Sequence, residues 1–130
     1  IDGVDYWIIK EIYKFIKPEI IVVEYNASFG LRPITVPYDK NFDRFSYHRV
    51  GWYHGASFTA FKKLFENEYF LKENIEGLNL IFIRKDKYQN SKKENFDEAC
   101  YKEHKSRNQA SNLNALEQWE RIKNMEFIEV

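Results

Sequence analysis

Apolar residues along this chain recur at spacings of three and four in some segments, which is the spacing of one helical face. This pattern predicts helices over residues 3–17 and 56–67. Asp2 stands where a helix N-cap belongs, and Lys17-Pro18 ends the first pattern. A further helical stripe lies near the C-terminus, at Leu113, Leu116, Trp119 and Ile122.

Other segments have the composition of strands. Residues 20–25 form a continuous β-branched run without alternation, which predicts a strand covered on both faces. Residues 69–72 and 80–84 read as two strands of a hairpin joined through residues 76–79, and 34–36 as a short extended piece. This order of helices and strands predicts an α/β fold: a parallel sheet with one antiparallel strand added at its side.

Composition narrows the function classes. The chain has 130 residues, 44% of them hydrophobic and 18% aromatic, which is typical of one globular domain. Its formal net charge is zero, so no overall field attracts nucleic acid or an anionic membrane surface. No apolar run approaches the roughly 20 residues of a membrane span, and Cys100 has no intrachain partner. We therefore expect a cytoplasmic protein.

Acids and an amide stand at the predicted strand ends. Asp2 ends the first segment, and Glu24 and Asn26 follow the run 20–23. Ligands of open α/β sheets bind at such ends, so either acid is a candidate general base. The alternatives are structural: Asp2 as N-cap, Asp5 beside the helix dipole, Glu24 bonded to the loop, Asn26 in a turn. The side-chain oxygens of Asp2, Glu24 and Asn26 also form a possible Mg²⁺ set, which we do not favour.

The loop before the second helix adds an acid–base candidate and an aromatic group. His54 could exchange a proton near neutral pH or simply be a structural residue beside the capping Ser57. Five aromatic residues could line an acceptor pocket, or with nearby arginines stack on bases, which the zero net charge disfavours. They are Phe42, Phe45, Tyr47, Trp52 and Tyr53.

Several motifs, in order, resemble the C-terminal half of FkbM-like S-adenosylmethionine-dependent methyltransferases. They are Ile1-Asp2-Gly3-Val4-Asp5-Tyr6-Trp7, Ile20-Ile21-Val22-Val23-Glu24-Tyr25-Asn26, Val36-Pro37-Tyr38-Asp39, Tyr53-His54-Gly55-Ala56-Ser57 and Leu80-Ile81-Phe82-Ile83-Arg84-Lys85-Asp86. The resemblance covers residues 1–86. It leaves 87–130 as a polar, mostly helical C-terminal extension.

The resemblance implies the C-terminal half of a Rossmann-like class I sheet, with strands 4-5-7-6 and strand 7 antiparallel. It implies methyl transfer to a hydroxyl or amine of a small molecule or sugar. Asp2 and Glu24 would be catalytic, Asp2 and Gly3 would contact S-adenosylmethionine, and no metal is expected. The acceptor would meet four residues: Asp5, Asn26, Tyr53 and His54.

This sequence departs from the family at the cofactor. It contains no glycine-rich loop between a strand and a helix, so most of the S-adenosylmethionine site is expected upstream of residue 1. A fragment of this length would then be inactive and could self-associate through an exposed sheet edge. The alternative function is a non-catalytic interaction domain that retains the fold. In either case, strand 80–84 should pair antiparallel with 20–25, leaving 69–72 at the sheet edge.

Overall fold

A computed structural model describes residues 3–87 and 97–130 as a mixed α/β fold. Its helices are α1 (Asp5–Ile12), α2 (Arg44–Tyr47), α3 (Phe58–Phe65), α4 (Lys105–Ser111) and α5 (Ala115–Ile122). Its strands are β1 (Ile20–Glu24), β2 (Ile34–Thr35), β3 (Tyr69–Ile75), β4 (Asn79–Arg84) and β5 (Ile128–Glu129). Two 3-10 turns lie at Ala27–Phe29 and Glu98–Cys100. None of the described helices has the length and apolar character needed to cross a membrane.

The sheet confirms the predicted strand neighbours. Its order is β1-β4-β3, both pairings are antiparallel, and Val22 stands opposite Ile81. β1 and β3 consequently run in the same direction on either side of β4. The predicted parallel sheet is not seen. In both sheets of the described residues, every pair of neighbouring strands is antiparallel.

One face of the sheet carries the main core. Ile21 and Val23 of β1 are buried together with Phe82 of β4. Phe65 of α3 packs on Phe82 with ring centroids 4.8 Å apart, and Tyr6 of α1 meets α3 on the same side. Helices α1 and α3 therefore cover the same face of the sheet.

The opposite face is open to solvent, so the prediction that β1 is covered on both sides is wrong for the described residues. Burial alternates along β1, and Ile20 and Val22 are each 59% exposed. Their partners across the ladder, Ile83 and Ile81, are half-buried. We call these four residues the exposed sheet face. Because both packing helices lie on the other side, the continuous apolar run of β1 has only one covered face.

The first helix is shorter than its apolar pattern predicts. The pattern extends over residues 3–17, whereas α1 ends at Ile12 and continues only as turns. Phe15 is 85% exposed, so no packing extends the helix to its position. Asp2, the predicted N-cap, lies outside the described residues, and Val4 at the N-cap position makes no side-chain cap.

The second predicted helix is confirmed as α3, within the expected range. The Ser57 hydroxyl accepts a hydrogen bond from the amide of Ala60 at 3.0 Å and caps its first turn. Phe58, Phe61 and Phe65 are fully buried, which is the face that the spacing predicts. The loop that holds His54 therefore leads directly into a well-anchored helix.

Residues 97–130 pack on the segment that follows β1. Ile122 of α5 is buried in a second core cluster with Phe29, Val36 and Tyr53. β5 pairs antiparallel with β2, and the Tyr101 hydroxyl donates to the carbonyl of Ala27 at 2.8 Å. The C-terminal segment thus supports the loop at the carboxyl end of β1.

The β3–β4 hairpin shows how closely this segment approaches the sheet. Gly77 has a φ of +71°, a left-handed conformation that favours glycine in the turn. A Cβ at Gly77 would lie 2.1 Å from the carbonyl oxygen of Glu103. Glycine is therefore required there both by the turn and by the neighbouring chain.

Candidate functional site

Glu24 and His54 meet where β1 ends. Nε2 of His54 lies 3.4 Å from Oε1 of Glu24. The imidazole is only 3% exposed, whereas the carboxyl side chain is 41% exposed. Nε2 is buried without a hydrogen-bond partner of good geometry among the described residues, and 3.4 Å is longer than an ordinary N–H···O bond. We call this contact the Glu24–His54 pair.

Asn26 holds the imidazole in place. Its amide Nδ2 donates to the carbonyl oxygens of Trp52 (2.6 Å) and His54 (2.9 Å), and lies 3.4 Å from Nδ1 of His54. Because Nδ1 faces an N–H donor, we assign the imidazole proton to Nε2, which points toward Glu24. Asn26 is fully buried, and its Oδ1 accepts from the amide of Ser28. Its position is therefore that of a residue that orients His54.

The environment keeps the pair as a carboxylate beside a neutral imidazole at neutral pH. The contact with His54 lowers the pKa of Glu24 against the opposing effect of burial, and Arg44 and Arg107 add smaller contributions. Burial lowers the pKa of His54, and the carboxylate of Glu24 only partly opposes this. One group therefore carries a charge into the cleft, and the other is a buried neutral donor.

Arg107 reaches this site from α4, in the segment that the sequence resemblance does not cover. Its Nη1 donates to Oδ1 of Asn26 at 2.7 Å and to the Ser28 hydroxyl at 2.9 Å. That hydroxyl donates in turn to Gln118 at 2.6 Å. Arg107 forms no ion pair with a carboxylate of the described residues, and burial lowers its pKa to about 10. It therefore remains a cation behind Asn26.

A cleft of about 550 Å³ opens in front of Glu24, between α1 and the edge of β1 that has no neighbouring strand among the described residues. Asp5 and Arg44 stand with Glu24 in its lining, and the rest is apolar. The apolar part comes from Ile8, Ile9, Ile12, Val22 and Val23. We call this space the helix–strand cleft. It brings together two of the predicted site residues, Asp5 and Glu24.

The other predicted residues are placed differently. Asp2 lies outside the described residues. Gly3 donates through its amide to Asp5 Oδ2 at 3.2 Å and accepts at its carbonyl from the amide of Gly55 at 2.9 Å. The Tyr53 side chain turns away from the Glu24–His54 pair, and its hydroxyl donates to the carbonyl of Glu126. The side chains of the consecutive residues Tyr53 and His54 therefore point to different parts of the structure.

One member of the magnesium alternative, Asp2, lies outside the described residues. Within residues 3–87 and 97–130, no three His, Cys, Asp or Glu side chains are grouped so that they could share an ion. Asn26, part of the magnesium alternative, directs its amide at protein atoms.

Two residues of the site were not found from the sequence. Arg107 stands in a polar segment without apolar periodicity, and Arg44 is one of the loop arginines for which the sequence suggests only base stacking. A faint signal existed for Arg107: His104 three residues earlier is a possible N-cap, and its Nδ1 does accept from the amide of Arg107 at 3.4 Å. That signal predicts where a helix begins, but it does not predict which residues the guanidinium of Arg107 contacts.

Comparison with protein-family models, with curated proteins and with solved structures finds no match to this chain. The resemblance to FkbM-like methyltransferases therefore remains a prediction. Function has to be inferred from the residues at the end of β1.

Proposed function

We propose that this chain is the C-terminal half of an FkbM-like S-adenosylmethionine-dependent methyltransferase. Its acceptor would be a hydroxyl or amine of a small molecule or sugar. The observation that carries the proposal is the contact of 3.4 Å between the buried His54 Nε2 and the exposed carboxylate of Glu24, where β1 ends. The order β1-β4-β3, with β4 antiparallel, is also the order of strands 5, 7 and 6 in the resembled Rossmann-like sheet.

The pair suits removal of a proton from an acceptor. S-adenosylmethionine supplies an electrophilic methyl group when it is bound. The acceptor's O–H or N–H loses its proton to a Glu24 oxygen, while the Nε2–H of His54 keeps the carboxylate oriented and ionised. Asn26 and Arg107 act behind His54 as positioning residues.

The helix–strand cleft fits this role in charge. Asp5 and Glu24 put two carboxylates in its lining against the single guanidinium of Arg44, and this excess of negative charge suits a sulfonium or ammonium group. Its apolar wall suits a carbon skeleton. Gly3, and Asp2 by its position in the sequence, would contact the cofactor on the strength of the resemblance. On the same resemblance, the remaining cofactor contacts would come from residues upstream of residue 1, and the lone Cys100 is consistent with the proposed cytoplasmic location.

The test uses the full-length protein and follows release of S-adenosylhomocysteine with a panel of sugars and small amines. Glu24→Gln should lower turnover by at least about a hundredfold, because the amide keeps the shape and loses the base. Its melting temperature should change little. Glu68→Gln is the matched control, since Glu68 is also an exposed glutamate, paired with Lys17. Equal losses of activity and melting temperature in Glu24→Gln would make the role structural.

One observation favours the alternative of a non-catalytic interaction domain. The exposed sheet face presents Ile20 and Val22 to solvent, and such an apolar surface is typical of a contact with another element or protein. A folded wild-type protein that releases no S-adenosylhomocysteine with any acceptor, and does not bind S-adenosylmethionine, would select this alternative.

A further inference from the structure

A second pocket lies beside the side chain of Tyr53, formed by the loop before α2 and the turn before β5. It encloses about 240 Å³. Four aromatic rings, two carboxylates, a proline and a methionine line it: Tyr38, Phe42, Tyr47, Tyr53, Asp39, Glu126, Pro37 and Met125. We call it the aromatic pocket. It shares no lining residue with the helix–strand cleft.

Three of its rings form one group. The centroids of Phe42 and Tyr47 are 5.0 Å apart in a stacked arrangement, and Tyr47 and Tyr53 are 5.6 Å apart. Phe42 and Tyr53 are 6.3 Å apart. The electron-rich faces of such rings attract cations within about 6 Å of a centroid. The volume leaves room for a small ligand and no more.

The charge of the pocket is negative. Neither Asp39 nor Glu126 forms an ion pair with a basic group of the described residues. The amide of Asn41 donates to Asp39 at 2.8 Å, and the Tyr47 hydroxyl donates to it at 2.8 Å. These bonds lower the pKa of Asp39, so it stays ionised at neutral pH. The negative charge therefore favours a cation over an anion.

Two of the three tyrosine hydroxyls of the pocket are already committed to partners among the described residues, and that of Tyr38 is not. The Tyr47 hydroxyl donates to Asp39, and the Tyr53 hydroxyl donates to the carbonyl of Glu126. What remains for a ligand is mainly ring surface, the thioether of Met125 and carboxylate charge, with the hydroxyl of Tyr38 as one further polar group. A cation whose nitrogen carries methyl groups matches this lining, because it packs on rings and needs no acceptor of its own.

We propose that the aromatic pocket binds a small methylated ammonium ion. This inference does not depend on methyl transfer at Glu24, since the two pockets have separate linings. Its occupant is the free cation, because the pocket has the size of one headgroup.

Choline is the probe, and titration calorimetry of the full chain measures it. Its neutral isostere 3,3-dimethyl-1-butanol has the same shape without the charge. We expect choline to bind at least tenfold more tightly than the isostere. Equal affinities, or no binding of choline, would overturn the proposal. The proposal would also be overturned if the protein sedimented with phosphatidylcholine vesicles but showed no saturable binding of free choline.

Two variants test the location of the site. Tyr47→Leu removes one ring and Asp39→Asn removes one charge, and each should weaken choline binding about three- to thirty-fold. Phe15→Leu and Asp86→Asn are controls, because both residues are exposed and lie outside the pocket. Circular dichroism confirms that each variant is folded. Unchanged affinity in both folded pocket variants would contradict the proposal.

Discussion

The Nε2 atom of His54 lies 3.4 Å from a carboxylate oxygen of Glu24, and the two side chains differ sharply in exposure. His54 is 3% exposed and Glu24 41%. The pair therefore connects the interior of the protein with the helix–strand cleft. A neutral donor held inside orients an ionised acceptor outside, and this arrangement makes its behaviour depend on pH.

Acid should lower the free energy of unfolding through this pair. Because burial holds the pKa of His54 below 6.5, the unfolded state binds more protons than the folded state below that pH. The stability that the neutral, buried His54 contributes is fully present above pH 6.5. It is lost as the pH falls toward the pKa of His54 in the folded state. Glu24, whose pKa lies below 4.5, adds a loss in the same direction at lower pH.

Urea unfolding of wild type and His54→Gln between pH 7.5 and 5 measures this effect. One such group contributes a slope of at most about 1.4 kcal/mol per pH unit. The free energy of unfolding of His54→Gln should depend less steeply on pH than that of the wild type. Some pH dependence should remain in the variant, because burial also lowers the pKa of His48 and His104. Identical slopes in the two proteins would show that His54 does not titrate as described.

Replacing Arg107 should destabilise the whole fold. Arg107→Met removes charged donors from Asn26 and Ser28 and leaves their oxygens without those bonds. We expect a loss of about 1.5–3 kcal/mol in the free energy of unfolding, measured with guanidinium chloride. Arg121→Met, at an exposed position on α5, is the control and should change it by less than about 0.5 kcal/mol. Equal small effects would mean that the buried network adds no stability.

Truncating Phe82, the core aromatic residue of β4, should lower the free energy of unfolding strongly. Phe82 is fully buried and packs on Phe65. Phe82→Ala should cost about 3–5 kcal/mol, enough to unfold a marginal domain. Phe15→Ala removes the same atoms from a residue that is 85% exposed and should be nearly neutral. Thermal denaturation followed by circular dichroism compares them, and similar melting temperatures would contradict the assignment of the core.

The chain should self-associate through β1. Within the described residues β1 is a terminal strand of its sheet, and Ile20 and Val22 are exposed. Unpaired strand edges with apolar side chains recruit other chains, and lysine opposes this. Sedimentation at micromolar concentration should show oligomers of wild type and a monomer of Val22→Lys with an unchanged melting temperature. A monomeric wild type would remove the basis for this prediction.

Much of the fold was predictable, because local patterns determine it. The α3 helix follows from the spacing of Phe58, Phe61 and Phe65 behind a capping Ser57, and each of these signals lies within a few residues of the next. The antiparallel neighbours of β4 were expected from the resemblance. By contrast, an apolar run such as β1 shows only that both faces of the strand could be buried. It does not show whether a second layer of helices or strands covers the other face.

The candidate site was predictable only in part. Glu24 was found because it ends a strand, and His54 because few other side chains exchange protons near neutral pH. That they are in contact, and that Tyr53 faces elsewhere, depends on how a loop folds against a distant strand. The bond from Arg107 to Asn26 spans 81 residues and follows no periodicity, so no local signal predicts it.

The same bond sets an order of events during synthesis. The ribosome adds roughly 5–20 residues per second, so Asn26 is added about 4–16 seconds before Arg107. Until then the amide that holds His54 lacks its charged partner, and the apolar strand beside it has no C-terminal segment nearby. A nascent chain of this protein therefore cannot complete the support of His54 until residue 107 has been added.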